Sequence, residues 1–303
     1  MGVITTSSFA KALWPGINKW YGEAYDKHPT EWNKLVDTFN SSKAWEEDIG
    51  VTSFGLASVK TEGGAITYDD MSQGYLTRYT HVVYGLGFVI TREMYEDDQY
   101  DVIGRKRANS LAFSMQQTKE TVVANVYNRA FTSTYAGGDG LELCSLLHTN
   151  ASGGTWANEP STAADLSEAS LEQAVIDIGK WTNDRGLKIS VMPQTLIIPV
   201  DLAFEAERIL MTPNRVGTSD NDINALYRMG KFPGGIVVNH YLTDTDAWFI
   251  RTNTPDGLKL FTRRAMQFGT DNDFDTENAK YKATERYSVG WTDPRAVYGS
   301  PGA

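Results

Sequence analysis

A single cysteine, Cys144, stands in a chain of 303 residues. An intramolecular disulfide and a cysteine-rich metal cage are therefore excluded, and stability has to come from burial or from neighbouring chains. Positive charge is also in short supply: 28 Lys and Arg face 38 Asp and Glu, a formal net charge of -10. A surface that grips a polyanion broadly needs clustered cations, so specific nucleic-acid binding is not expected. No apolar run approaches the roughly 20 residues of a membrane helix, and the first residues hold no basic-then-apolar signal segment. Synthesis in the cytoplasm and no membrane partner are the expectations. Met1, Gly2 and Thr6 match a myristoylation pattern, but no basic cluster follows to complete an anchor.

Catalytic motifs are equally scarce. There is no G-x-S-x-G, no P-loop and no G-x-G-x-x-G. Ser8 and Lys11 form an S-x-x-K without its partner motifs. Cys144 and His148 would face each other only on a helix, and the glycines just before them predict a loop. His28, His81 and His240 are scattered without ligand spacing. Asp271, Asp273 and Asp275 begin like a calcium loop, but Thr276 and Lys282 stand where Gly and Glu are required. Asp69 with Asp70 and Asp97 with Asp98 are adjacent carboxylates that need not converge. No catalytic residue, cofactor or metal is expected.

What is present is a folding composition, 41% hydrophobic and 12% aromatic, in a chain long enough for two lobes or one elaborated domain. Residues 1–50 carry Trp14, Trp20, Trp32 and Trp45 with little other apolar content; they read as an arm that docks either on its own body or on another subunit. From Val51 to Thr91 the pattern is a hairpin, broken at Glu62, Gly63 and Gly64, whose leg Tyr75–Ile90 mixes polar and apolar side chains on both faces. One buried and one wet face would alternate cleanly, so this leg predicts a projection sandwiched between partners. A helix follows over about Asp101–Phe131, with Asp101 as N-cap and a stripe of Leu111, Met115, Val122, Val126 and Ala130, widened by Val123 and Tyr127. Arg105, Gln116, Lys119 and Arg129 fall off the stripe. At about 1.5 Å per residue it would be a beam of about 45 Å. After the turn-rich 153–160 come a helix over Ser167–Trp181, a strand Thr195–Val200, a helix Asp201–Met211, and strands at Ile236–Leu242, Ala247–Arg251, Leu258–Phe261 and Lys280–Trp291. The class is α+β.

A tryptophan-bearing arm, a two-sided hairpin, one beam helix, an α+β lobe and a long closing strand resemble, in that order, the major capsid protein of tailed bacteriophages. Pro193–Met211 resembles that family's axial-domain strand and helix, and Arg286–Ser300, RYSVGWTDPRAVYGS, is similar to the closing strand and turn of Mu-like head subunits. The resemblance implies the Hong Kong phage-type fold: an arm over 1–50, an extended loop over 51–92, a peripheral domain over 93–165 with its spine helix at 101–131, an axial domain over 166–270, and a closing strand over 271–303. It implies assembly of the chain with itself, as pentamers and hexamers, into an icosahedral virion shell built in the host cytoplasm around double-stranded DNA held by enclosure. Portal, separate scaffold and decoration proteins are the implied partners. Trp14, Trp20, Lys60, Glu62, Gly63, Gly64 and Tyr68 are the candidate intersubunit contacts; Lys60 sits where some relatives carry a cross-linking lysine, without an identifiable Asn or Glu to complete it. An encapsulin-like shell and a hydrolase with an unrecognised site are the alternatives.

Overall fold

The computed structural model describes residues 19–96, 104–150, 153–214, 222–273 and 278–303. The myristoylation pattern, Ser8, Lys11, Trp14, Asp97, Asp98, Asp101, Asp275 and Thr276 lie outside them.

The element that organises the rest is α3, Arg105–Asn128, about 36 Å long. Leu111, Met115, Val123, Val126, Tyr127 and Ala130 are buried, and Val122 is half-buried. The helix also buries Gln116, Lys119 and Glu120, which departs from the expectation that Gln116 and Lys119 lie off the packed face. The cause is the segment before it. Residues 19–27 form a helix, α1, and Glu120 accepts the backbone N–H groups of Glu31 and Trp32 at 2.8 Å each. Gln116 donates to the Tyr25 carbonyl at 3.2 Å. The Lys119 ammonium sits 4.4 Å from the centroid of the Trp32 ring and 3.9 Å from the Glu285 carboxylate; burial lowers its pKa, against the pull of Glu285 and Glu120. The polar side of α3 is thus the seat of the N-terminal segment, and burying it satisfies donors that would otherwise be orphaned.

The apolar side of α3 lies on a four-stranded sheet of order β1-β10-β11-β4, formed by β1 (Asp37–Asn40), β4 (Val82–Ile90), β10 (Leu258–Asn272) and β11 (Ala279–Trp291). β10 runs eleven residues beyond the expected Leu258–Phe261 and pairs antiparallel with β11 along nearly its whole length. Alternate residues of β11, Tyr281, Ala283, Glu285 and Tyr287, are buried under α3, with Tyr84 stacked on Tyr287 and Phe88 on Tyr281.

A second sheet, β12-β9-β7-β8, comprises β7 (Pro193–Ile198), β8 (Ile236–Val238), β9 (Trp248–Thr252) and β12 (Val297–Ser300). It is covered by α4 (Glu168–Lys180), α5 (Ala203–Met211) and α6 (Ala225–Met229). Ser167 caps α4 in a reciprocal pair with Ser170. The closing segment is therefore shared: β11 completes the first sheet, then Asp293 caps the short turn Pro294–Ala296 and sends β12 back to β9 in the second. Pro199 precedes a turn at Val200–Leu202, so α5 starts two residues later than expected.

One core joins the two sheets, with Tyr127 of α3 edge-on to Phe249 of β9 and Phe131 stacked on the same ring. Beside it Asn158 is fully buried. Its amide donates to the carbonyls of Leu143, Pro294 and Val297, and its carbonyl accepts from Ser145 N and bonds His148 Nε2. Asn158→Ala strands several buried groups at once and should cost roughly 2–4 kcal/mol, read from urea unfolding of the soluble subunit; a loss under about 0.5 kcal/mol would mean that this junction bears no load.

Candidate intersubunit surface

Two strands, β2 (Trp45–Val51) and β3 (Gln73–Thr80), pair antiparallel into a ribbon. The expected single leg Tyr75–Ile90 breaks at His81. This residue is buried between the hydroxyls of Ser41 and Ser288, 3.0 Å from each ring nitrogen; burial and then Arg286 depress its pKa. The mixed faces have a simple cause: residues up to Thr80 belong to the ribbon, and those from Val82 to the edge of the first sheet.

Beyond β2 and β3 the chain has no backbone ladder, yet it remains a ribbon. Thr52 N donates to Ser72 O at 3.0 Å, Gly55 N to Asp69 Oδ2 at 2.7 Å, and the Ser58 and Thr67 hydroxyls meet at 2.8 Å. The tip closes with Gly64 N on Thr61 O at 3.0 Å. Gly63 takes a φ of +75° there, the left-handed third position of a four-residue turn, which glycine fills without strain. Side chains supply the rungs that backbone supplies elsewhere.

This extension buries almost nothing. Leu56 is 84% exposed, Val59 94% and Tyr68 92%; Lys60, Glu62 and Gly63 are exposed and Gly64 partly so. The structure brings these five predicted residues, Lys60, Glu62, Gly63, Gly64 and Tyr68, to one projecting end. Trp20 is elsewhere: half-buried, it packs with α1 against α3, near Arg105. Trp32 likewise packs on its own body, whereas Trp45 is 46% exposed beneath the Arg78 guanidinium.

The ribbon's attachment was not legible in the sequence. Arg185, in the turn after α4, pairs with Asp69 and donates to the Asp70 carbonyl at 3.3 Å. Lys259 bridges Asp48 at 2.6 Å and Asp256 at 2.8 Å; burial opposes its charge, but the two carboxylates outweigh it and raise its pKa. Thr292 links Asp48 to the Tyr79 hydroxyl. A cleft of about 630 Å³ at this base is lined by Asp48, Asp184, Asp256, Asp293, Lys259 and Arg295 among others. Both cations are already engaged there, Arg295 by Asp184 and Asp293 at 3.4 Å each. The cleft is a braced joint.

The other chemistry-bearing residues stay apart. The Cys144 thiol is buried and its pKa pushed up by burial, while His148 is held between Asp139, at 2.6 Å, and Asn158, at 3.1 Å. His240 pairs with Glu31, His28 is half-buried beside the Phe113 ring, and Asp273 pairs with Lys280. Among the described residues no three His, Cys, Asp or Glu cluster as metal ligands, and no helix is long and apolar enough to cross a membrane.

The described residues thus combine a projecting ribbon, a long helix on a long-stranded sheet and a second α+β lobe. The model of the family described as phage capsid protein matches residues 74–300. The chain belongs to this family. Its fold is similar to that of the capsid of a native GTA particle (TM-score 0.56, 12% identity, 88% of each chain covered). It is similar also to Mycobacterium phage Che8 (0.53, 13%, covering 89% of this chain and 90% of that one) and to the procapsid of bacteriophage JBD30 (0.53, 13%, 98% and 76%). No curated protein matches the sequence.

The Asp69 carboxyl is held below its ordinary value by the Gly55 N–H and then by Arg185. A depressed pKa stabilises the folded ribbon above the ordinary aspartate range, and this is lost as pH falls through the lowered value. NMR titration should place Asp69 below an ordinary aspartate and show Arg185→Gln moving it upward. No movement would remove Arg185 from the ribbon's support.

Proposed function

We propose that this capsid protein assembles as pentamers and hexamers into a closed icosahedral shell around the double-stranded DNA of a tailed phage, working by self-association without catalysis. The observation that carries the reading is the ribbon, residues 45–80, whose outer part exposes large apolar side chains that nothing in its own subunit covers. Exposed apolar surface of this kind marks an interaction site. In this reading residues 52–72 are the extended loop, α3 is the spine, the sheet of β10 and β11 is peripheral, and the second sheet with α4–α6 is the axial lobe. The family match favours a nucleic-acid-filled virion over an enzyme-filled compartment. The excess of acidic residues fits DNA held by confinement with counterions rather than by the subunit's grip, with portal, scaffold and decoration proteins as separate partners and assembly in the host cytoplasm.

Replacing 60–68 by a short Gly-containing turn tests it. Loop length enters folding only logarithmically, and the removed residues contribute little burial, so the soluble subunit should lose less than about 1 kcal/mol in chemical unfolding. Particle yield by electron microscopy should collapse, because each lost contact recurs at every subunit boundary. An unfolded subunit would place the loop in the core; normal particle yield would end the strap reading.

A further inference from the structure

Both legs of the ribbon meet the first sheet at one place, and His81 stands there. β1 and β4 lie on opposite edges of that sheet, yet β2, which follows β1, and β3, which precedes β4, pair with each other from Trp45 opposite Thr80. One leg enters through Ser41, whose N–H donates to the Thr262 carbonyl at 3.0 Å. The other enters through His81 alone, the single residue between β3 and β4. Where the legs converge, the imidazole ties them to β11: Nε2 meets Ser41 Oγ and Nδ1 meets Ser288 Oγ, each at 3.0 Å. The residue is 5% exposed.

Counting donors fixes the ring's proton. Ser41 Oγ donates to Glu46 Oε1 at 2.7 Å and accepts the Lys43 N–H at 3.2 Å. A hydroxyl has one hydrogen and two lone pairs, so only a lone pair is left to face Nε2, and that nitrogen carries the hydrogen. In the neutral ring Nδ1 is then bare and accepts from Ser288. Donors run in one direction, from Ser288 through His81 and Ser41 to Glu46. A second ring proton, on Nδ1, would meet the Ser288 hydroxyl hydrogen and force that hydroxyl to turn away. Burial opposes this proton most; Arg286 of β11 opposes it next, Glu46 of β2 favours it, and Arg263 of β10 opposes it. Glu46 is itself engaged by Ser41 and by Lys43 Nζ, at 3.2 Å. The balance holds the His81 pKa below the ordinary histidine value.

We propose that His81 is a pH-sensitive latch on the hinge of the ribbon. Neutral, it ties the two legs to β11 and fixes the direction in which the ribbon leaves the body. Protonated, it lets go of Ser288 and frees the ribbon to swing about residues 41–44 and 81 while β2 stays paired with β3. Assembly is not involved: the device belongs to the subunit alone and works whatever the ribbon lands on. The sign follows from linkage. Above the ordinary histidine range the enclosed ring and a ring freed into water are both neutral, so closure carries no proton penalty. As pH falls through that range the freed ring gains a proton that the enclosed ring refuses, and the closed hinge loses stability until the lowered value is reached.

Double electron–electron resonance on the full chain as soluble subunit tests it, with spin labels at Glu62→Cys on the ribbon tip and Ser110→Cys on α3. Both positions are exposed, whereas Cys144 is buried. The distance distribution should be narrow at about pH 8 and broaden towards about pH 5. The swung fraction should grow by up to roughly tenfold per pH unit while the circular dichroism of the body is unchanged. His81→Gln keeps a neutral donor and acceptor and should hold the narrow distribution throughout. Arg286→Gln, which removes a cation opposed to protonation, should weaken the response. A wild-type distribution that does not change with pH, or one that broadens equally in His81→Gln, overturns the latch. If His81→Gln fails to fold, nitrogen-15 spectra of the wild-type ring decide. A hydrogen on Nε2 alone at neutral pH, with ring protonation in step with the broadening, supports the latch; a hydrogen on Nδ1 alone, or a ring that stays neutral while the ribbon swings, overturns it.

Discussion

The pairing of β10 with β11 is the constraint on which the other parts depend. Twelve registered residue pairs set a platform whose one side takes α3 and whose edge takes β4. Its end, through Trp291 and Thr292, meets the ribbon base and then the turn to β12. Antiparallel strands of this length fix the register of everything attached, because a one-residue slip would exchange Tyr281, Ala283 and Tyr287 for Lys280, Lys282 and Arg286 under the spine helix. The two sheets share one core through Tyr127, Phe249 and Leu260, so the lobes are welded, and the ribbon is the element left outside.

That ribbon has a different physical basis from the rest. Body strands are held by backbone ladders and burial, whereas residues 52–72 are held by hydroxyl and carboxylate rungs, one glycine turn and the clasp of Arg185 on Asp69. Exposed hydrogen bonds and ion pairs contribute little in water. The shape is specified while the stabilisation is slight, and the apolar side chains of this segment stay uncovered by the rest of the subunit.

Much of this was legible beforehand where periodicity and turn chemistry speak. The stripe on α3, the helix opening near Ser167, the strand expected at Thr195–Val200 and found at Pro193–Ile198, and the break at Glu62 to Gly64 all follow from local patterns. What was illegible depends on contacts distant in sequence. Gln116 and Lys119 read as a solvated face because nothing local announces that Trp32 and Tyr25 cover them. The leg Tyr75–Ile90 read as one strand because His81 looks like any β residue until Ser41 and Ser288 enclose it. Arg185 gave no signal, since its partner lies 116 residues away. Of the candidate contacts, those at the loop tip depended on exposure and turn signals and lie together, whereas Trp20 was selected by residue type alone and packs against its own core.

The central claim is that the outer ribbon is folded by its own subunit but stabilised by its neighbours. Amide hydrogen exchange over residues 52–72, compared between the soluble subunit and the assembled particle, tests it most directly. The account predicts rapid exchange in the subunit for amides outside the rungs and strong protection in the particle, with α3 and β11 protected in both. Equal protection of the ribbon in the two states would contradict it.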